Sequence, residues 1–492
     1  MNQQIARVAG AALALLVVLV VATTYWQTWA RPALAERQDN EVQRVAQFEI
    51  ERGEITADGR RLARNRERKV GGRTLFFRRY PQGALTAHVV GYSTQSRSRA
   101  GLERSLNDYL TASNEDLSTF VESSLDKLRG KPIVGNDVRL TLDLDAQRVA
   151  LDALGTTCGA VAALDPRNGR VKVLASSPSY NPNLVENRFG EIERIRADCG
   201  DPAPLINRAT AGLYPPGSTF KVVTASAALD SGKFTASSTF DDPGYCIAYG
   251  KRVNNFDTSS PFGRHTLATA LQYSVNSTFC KIGQALGAKR ILDEAKDFGF
   301  YELPPLETPE DERRASGLYS GRELYYPKRD SDVDAGRMAF GQERLLVTPL
   351  QMAMVAGTIG NAGILMRPHV VDRIVSPDRE PIVETRRHRI RRAVEPATAA
   401  AVGEMMVRAV EAGTGTSARI SGMRVGGKTG TAETGVGGRN ITWFIAFAGP
   451  PGERPRTAIA VVLENQTLTG GATAAPIARE VLQALLEPAA NT

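Results

Sequence analysis

Three short groups of residues in this chain have the types and spacing to do chemistry: Ser218 with Lys221, Ser274 with Asn276, and the run Lys428-Thr429-Gly430-Thr431. Residues i and i+3 of a helix lie on one face about a turn apart. Ser218 and Lys221 therefore meet if the run from Ser218 to Leu229 is helical. A serine hydroxyl is a poor nucleophile until a base takes its proton, and a lysine is such a base only when burial or a nearby cation lowers its pKa. Phe220, Val222 and Val223 offer the burial. The start of a helix adds unpaired N–H groups and partial positive charge, which suit an oxygen that turns anionic during reaction. Alone, S-x-x-K equally describes an N-capping serine and a solvated lysine, so the weight falls on the two later groups.

The lysine-threonine-glycine run makes physical sense as an edge strand, whose free backbone can pair with an extended peptide. Alternation along a strand puts the hydroxyls of Thr429 and Thr431 on one side, available to a carboxylate beside the Lys428 charge. Gly430 leaves room for a close approach. Asn276 reads either as a group that holds an amide of the substrate or as a helix-face amide that satisfies backbone.

Elements that would position these groups follow from the punctuation of the chain. Before Ser218, "YPPG" stops the preceding structure. The stretch "GAVAALDPRNGRVKVLASSP" reads as two strands split by a turn, and "NITWFIAFAGP" with "RTAIAVVLEN" forms a second hairpin near the other end. Between them lie helical patterns, among them "TLATALQYSVNSTFCKIGQAL" and "TPLQMAMVAGTI", the latter with Thr348 as N-cap and Pro349 at the first helical position. "APIAREVLQALLE" supplies a closing helix. Strands at both ends with helices between them predict an α+β fold, an antiparallel β-sheet flanked by helices. Upstream, residues 31 to 136 read as a small, loosely built module. It has strand-like pieces at "FEIERGEI", "RTLFFRRYP" and "HVVGY" and a short helix at "GLERSLNDYLTA".

With 492 residues, 42% hydrophobic and 23% charged, the chain has globular composition and room for two or three domains. No charged residue stands between Arg7 and Arg31, and at about 1.5 Å per residue such a span crosses a hydrocarbon core of about 30 Å. Tyr25, Trp26 and Trp29 stand where an interfacial aromatic belt would be. A cleaved signal peptide is the rival, with "ALA" at 33 to 35 as its cleavage site. The apolar run is longer than a signal core, which favours an uncleaved anchor. The expected organisation is residues 1–30 as cytoplasmic tip and membrane anchor, 31–136 as the small module and 137–492 as the domain bearing the three groups.

The net charge of +8 gathers in "GRRLARNRERK", "FFRRY" and "RRHRIRR". The two longer runs carry no interleaved Phe, Tyr or Trp and do not describe a base-stacking surface, and nucleic acid is not expected as a partner. Anionic lipid headgroups or wall polymers fit a membrane-tethered chain better. The four cysteines, Cys158, Cys199, Cys246 and Cys280, allow three pairings. An extracytoplasmic location permits disulfides, and Cys246 with Cys280 is preferred because Cys280 follows Asn276 on one helix. Neither their spacing nor the four histidines make a zinc pattern, so no metal and no cofactor is expected.

The order S-x-x-K, S-x-N, K-T-G is the motif set of penicillin-binding proteins and the related serine β-lactamases. Around it stand "NRATAGLYPPGSTFK", "AFGQERLLVTPLQMA", "NAGILMRPHVV" and "VGGKTGTAE". With "RGEITADGRRLA", "RRYPQGALTAHVVGY" and "AGLERSLNDYL" upstream, the chain resembles the class B, monofunctional penicillin-binding proteins over nearly its whole length, most of all their compact actinobacterial branch. The resemblance implies a penicillin-binding transpeptidase fold with an N-terminal dimerisation or pedestal module. It implies acyl transfer on D-alanyl-D-alanine stem peptides of peptidoglycan, covalent inhibition by β-lactams, a membrane glycan polymerase of the shape and division family as partner, and an extracytoplasmic catalytic domain. Carried onto this chain, Ser218 is the nucleophile and Lys221 its base. Ser274 passes a proton to the leaving amine with Lys428 nearby, Asn276 holds the acyl-side amide, and Thr429, Gly430 and Thr431 bind substrate. The N–H groups of Ser218 and Thr431 then form the oxyanion hole. Three other readings share the motifs: a β-lactamase, a β-lactam sensor and a catalytically silent scaffold. The glutamates of "YELPPLETPEDERR", Glu302, Glu307, Glu310 and Glu312, lack the E-x-x-N pattern of a deacylating β-lactamase and read as a solvated loop.

Overall fold

A computed structural model describes residues 2–28, 48–113, 134–257, 261–433 and 438–487. Helix α1, Asn2–Thr28, holds the uncharged span, and Arg7–Tyr25 has the length and hydropathy to cross a membrane. Its described apolar side chains are exposed, Leu15 at 71% and Val17 at 52%, which is consistent with a membrane anchor. Trp29, the "ALA" stretch at 33 to 35 and the boundary expected between residues 30 and 31 lie outside the described residues.

Two sheets organise the rest. Strands β1 (Ile55–Ala57), β2 (Arg60–Val70), β3 (Arg73–Arg79) and β4 (Asp137–Leu140) join a pair from much later in the chain, β9 (Val371–Val375) and β10 (Pro381–Glu384), in the order β10-β9-β4-β1-β2-β3. Strand β4 runs parallel to β1, with Ile55 opposite Val138, and antiparallel to β9. The module expected to be loosely built thus shares a sheet with the catalytic part, and the division expected at 136/137 falls inside it. Ile55, Leu62 and Leu102 belong to the same buried cluster as Val222 and Phe279. A buried ion triad adds to the module's order: Glu103 is paired with Arg52 at 2.9 Å and Arg78 at 2.6 Å. Losing one partner of such a group leaves an uncompensated buried charge, at a cost of about 3–5 kcal/mol. Within "HVVGY" the structure places a helical turn, Ala87–Val90, before the short strand Tyr92–Ser93. The apolar pair there packs on a helix rather than alternating across a sheet.

The second sheet is wholly antiparallel. Its strands are β5 (Gly159–Leu164), β6 (Val171–Ser177), β11 (Arg424–Glu433), β12 (Asn440–Gly449) and β13 (Thr457–Gln466), in the order β11-β12-β13-β5-β6. Strand period two sorts its side chains cleanly. Trp443, Ile445 and Phe447 pack with Ala458, Ala460 and Val462 into one core, while Phe444, Ala446 and Ala448 pack with Ile459, Val461 and Leu463 into the other. Helix α2 (Leu144–Leu154) and helix α8 (Ala474–Leu486) cover the second face. The first is covered by helix α6 (Pro349–Gly360), apolar on nearly every side and buried accordingly. Thr348 caps α6 by accepting from the Gln351 N–H, with Pro349 at its first position. The expected α+β class, an antiparallel sheet between helices, is the one found, and it leaves β11 as an edge.

Four helices complete the frame of the site: α3 (Lys221–Asp230), α4 (Leu267–Gln272), α5 (Asn276–Leu286) and α7 (Pro396–Ala412). Both cysteine pairs are joined, Cys246 with Cys280 and Cys158 with Cys199. The first ties the hairpin of β7 (Tyr245–Ala248) and β8 (Lys251–Asn254) to α5, one turn beyond Asn276.

Candidate active site

The loop before Ser218 is fixed from four directions. The backbones of Tyr214 and Val347 exchange two hydrogen bonds, of 3.0 and 2.8 Å, and the Trp443 indole donates to the Pro215 carbonyl at 2.9 Å. The Tyr214 hydroxyl and Arg208 both donate to Glu464. Gly217 N–H donates to the Gly341 carbonyl at 3.1 Å. A Cβ on Gly341, whose φ is +81°, would sit 1.9 Å from the Gly217 carbonyl oxygen, so only glycine permits this approach. A 3₁₀ turn, Gly217–Phe220, then leads into α3, and the Thr224 hydroxyl pins α3 to the Ala339 carbonyl. Ser218 rides on this turn, partly exposed, and its hydroxyl has no hydrogen bond among the described residues. Its N–H, in the first turn of a helix, likewise has no backbone partner there.

Edge strand β11 lies directly against the turn. A Cβ on Gly217 would come within 3.0 Å of the Thr431 carbonyl, and one on Gly430 within 2.9 Å of the Pro216 carbonyl and 3.0 Å of Thr219. The room that Gly430 leaves is therefore filled by the serine turn itself, not kept open for a ligand. Both flanks of Ser218 touch β11, which sets the Ser218 turn beside the lysine-threonine-glycine run.

The helical pattern "TLATALQYSVNSTFCKIGQAL" is broken between α4 and α5. Ser274 N–H bonds to the Leu271 carbonyl and Val275 N–H to the Ala270 carbonyl, the paired bonds that close a helix on a left-handed residue. That residue is Ser274, with φ of +62°, where helices ordinarily place glycine. Strain of this kind persists where the surroundings over-determine it. Here they do: Ser274 Oγ accepts from Lys221 Nζ at 3.2 Å and from Lys428 Nζ at 2.9 Å. Lys221 Nζ also donates to the Ser274 carbonyl and to Asn276 Oδ1, both at 2.7 Å, while Lys428 Nζ donates to the Thr429 carbonyl at 2.9 Å. Asn276 completes its amide by donating to the Asn254 carbonyl. Lys221, Ser274, Asn276 and Lys428, far apart in sequence, thus form one hydrogen-bonded group.

Both lysine side chains are fully buried, with no carboxylate beside them among the described residues. Desolvation, and then the Lys428 charge, hold Lys221 well below the usual lysine range, and desolvation brings Lys428 to about 7. As a neutral amine Lys221 has two N–H bonds, matched by the two acceptors at 2.7 Å, and a lone pair whose neighbour is Ser274 Oγ at 3.2 Å; no hydrogen bond joins it to the Ser218 hydroxyl among the described residues, although the i, i+3 spacing predicts that the two meet.

Thr429 and Thr431 reach protein partners. Thr429 Oγ1 lies 2.7 Å from Thr414 Oγ1, and Thr431 Oγ1 accepts from Gly470 N–H at 3.3 Å. Thr414 is a member of the site that sequence reasoning missed. It follows α7 in the run "EAGTGT", and its N–H donates to the Gln272 carbonyl, beside the serine that ends α4. The Gly-Thr-Gly punctuation after a helix was the available signal. The acidic stretch 301–314 serves elsewhere: Glu307 accepts from Val370 N–H, Glu312 from Gly101 N–H and Glu302 from Arg391. Glu307 and Glu312 are structural anchors rather than members of a solvated loop, whereas Glu302 is exposed, as expected. Among the described residues, Cys158, Cys199 and Glu464 are close enough to share an ion. The two sulfurs are bonded to each other, which removes them as ligands.

A half-buried serine at a helix start, a buried lysine of lowered pKa and an edge strand that carries a second lysine are the arrangement of a serine acyl-transferase of the penicillin-recognising kind. Residues 159–483 match the family described as penicillin binding protein transpeptidase domain, and residues 52–138 match the penicillin binding protein A dimerisation domain. The chain is 34% identical to the peptidoglycan D,D-transpeptidase PbpA of Mycobacterium tuberculosis over 99% of both chains, and 34% identical to PbpA of Mycolicibacterium smegmatis over 99% of both. Its fold superposes on the ceftriaxone acyl-enzyme of M. tuberculosis penicillin-binding protein A with a TM-score of 0.80 at 32% identity, covering 90% of this chain and 100% of that one. The chain belongs to the penicillin-binding proteins, in the PbpA-like group of class B.

Proposed function

We propose that this chain is a peptidoglycan D,D-transpeptidase, held by one membrane span with its catalytic domain outside the cytoplasm. The observation that carries the reading is the hydrogen-bonded group of Lys221, Ser274, Asn276 and Lys428 set against the Ser218 turn. Ser218 Oγ attacks the penultimate carbonyl of a D-alanyl-D-alanine stem, and its proton passes to the lone pair of Lys221. The N–H groups of Ser218 and Thr431 take the oxyanion, a role worth about 3–4 kcal/mol per donor in a comparable hydrolase site. As the tetrahedral adduct collapses, the C–N bond breaks and Ser274 delivers a proton to the departing D-alanine, drawing on Lys221 or Lys428. An amine of a second stem peptide then attacks the ester and returns the enzyme. Lys428, as ammonium, and Thr429 face the terminal carboxylate, and Asn276 holds the acyl-side amide. A β-lactam enters as a cyclic analogue of the same amide. A membrane glycan polymerase that makes the strands to be cross-linked is the complementary partner.

Full-length protein in detergent micelles tests this with a thioester analogue of the stem peptide. An amine acceptor should accelerate its turnover, and penicillin should give an adduct that is released slowly. Clearance of penicillin with many turnovers per second would identify a β-lactamase instead.

Thr414 acts as a positioning residue in this scheme. Thr429 has a single hydroxyl proton, so to donate it to a carboxylate it must be the acceptor in its 2.7 Å contact with Thr414, whose hydroxyl then donates. Thr414→Val is expected to slow acylation by penicillin about tenfold at subsaturating concentration, the worth of one such bond. It should raise KM more than it lowers kcat, and Thr414→Ser should restore both.

A further inference from the structure

We propose that one face of the β2–β3 hairpin docks on the anionic phospholipid headgroups of the membrane that holds α1; the proposal rests on the reading of α1 as an anchor. The hairpin register pairs Arg64 with Arg79, Arg66 with Phe77, Arg68 with Leu75 and Val70 with Arg73. Directly opposed residues of an antiparallel pair share a face, so five arginines, 64, 66, 68, 73 and 79, stand on one side of two strands. The carboxylate that answers them among the described residues is Glu49, paired with Arg73. Arg64 and Arg79 face each other directly, an arrangement that is destabilising in isolation and becomes favourable on a polyanionic surface.

The position suits a membrane partner. Phe48, which packs on Phe77 on this same face and accepts from Phe76 N–H, is the first described residue after the anchor. From Tyr25 to Phe48 the chain spans at most about 80 Å, a tether that keeps the hairpin at high effective concentration over the bilayer and lets a weak attraction suffice. Val70, at the tip and 47% exposed, adds an apolar contact on the same face. Exposed guanidinium groups behind an exposed apolar tip match phosphate headgroups above the acyl boundary.

The test uses the full chain with Val70→Cys, labelled with a fluorophore; the four native cysteines are bonded in pairs and do not compete. The protein is reconstituted in vesicles of phosphatidylcholine, alone or mixed with phosphatidylglycerol, that contain a headgroup spin-label as quencher. Quenching several-fold stronger with phosphatidylglycerol is expected. Raising salt to about 1 M, where screening acts within about 3 Å, should remove the difference, and so should R66E/R68E. Those two side chains are exposed and unpaired among the described residues, and their replacement should leave acylation by penicillin unchanged. Equal quenching in both lipids, or quenching indifferent to R66E/R68E, overturns the proposal. A hairpin that ignores lipid charge and binds polyglutamate overturns it in favour of an acidic protein segment. Flotation on pure phosphatidylcholine vesicles reports the anchor alone, so either reading can fail without the other.

Discussion

Ser218→Ala is expected to leave a folded chain that no longer captures labelled penicillin, with turnover of a thioester substrate reduced on the order of 10⁶-fold. The hydroxyl sits partly exposed on a 3₁₀ turn and makes no hydrogen bond among the described residues, so its removal opens no cavity and orphans no partner. Stability should move by no more than about 0.5 kcal/mol. That separation of activity from stability is what a nucleophile predicts and a structural N-cap does not, since loss of a capping hydroxyl costs about 1 kcal/mol. Peptide mapping of the wild-type adduct should place the label on the segment containing Ser218. The rival nucleophile within the site is Ser274, whose Oγ is held by two lysines. Label recovered on Ser274, or persisting in the Ser218→Ala protein, would overturn the assignment.

The separate pieces of this site were legible because each obeys a local rule. β-rich apolar runs split by turn residues announced β5, β6, β12 and β13, the Thr348-Pro349 cap announced α6, and two prolines with a glycine announced the stop before Ser218. What joins the pieces obeys no local rule. The break at Ser274 is invisible to hydrophobic period because α4 and α5 both continue an apolar pattern. Only the left-handed φ of a serine, imposed by tertiary contacts with two lysines, separates them. Strand β4 pairs with β1 across the expected module boundary and with β9 from more than two hundred residues later, a pairing that no window of sequence contains. Thr414 was overlooked for the same reason, since its partners Gln272 and Thr429 lie on two other elements.

The pH behaviour of this protein should be governed by Lys221, and Lys221→Met is the variant that shows it. Methionine keeps all but the terminal atom of the side chain's length and removes the base, so acylation by penicillin should fall on the order of 10⁴-fold. In the wild-type enzyme the rate at subsaturating penicillin should fall toward acid as Lys221 takes a proton. It should fall again above about 7 as Lys428 loses the charge that meets the carboxylate. Stability supplies a readout independent of activity. A buried lysine whose folded pKa is lowered binds a proton more weakly in the native state than in the unfolded chain. Between its folded pKa and the unfolded value near 10.4, stability therefore rises with pH. Below the folded pKa the full desolvation penalty applies. The variant lacks that penalty, though it leaves the Ser274 carbonyl and Asn276 Oδ1 without their donor, a cost of about 1–3 kcal/mol for each buried group. That cost does not depend on pH, whereas the lysine's does. The difference in Tm between variant and wild type should accordingly shift in favour of the variant, by several degrees, as pH falls from 9 to 6. A difference that is flat with pH, or that shifts toward the wild type, would mean that Lys221 is not held as a buried base of lowered pKa. The proton acceptor for Ser218 would then have to be sought in Lys428.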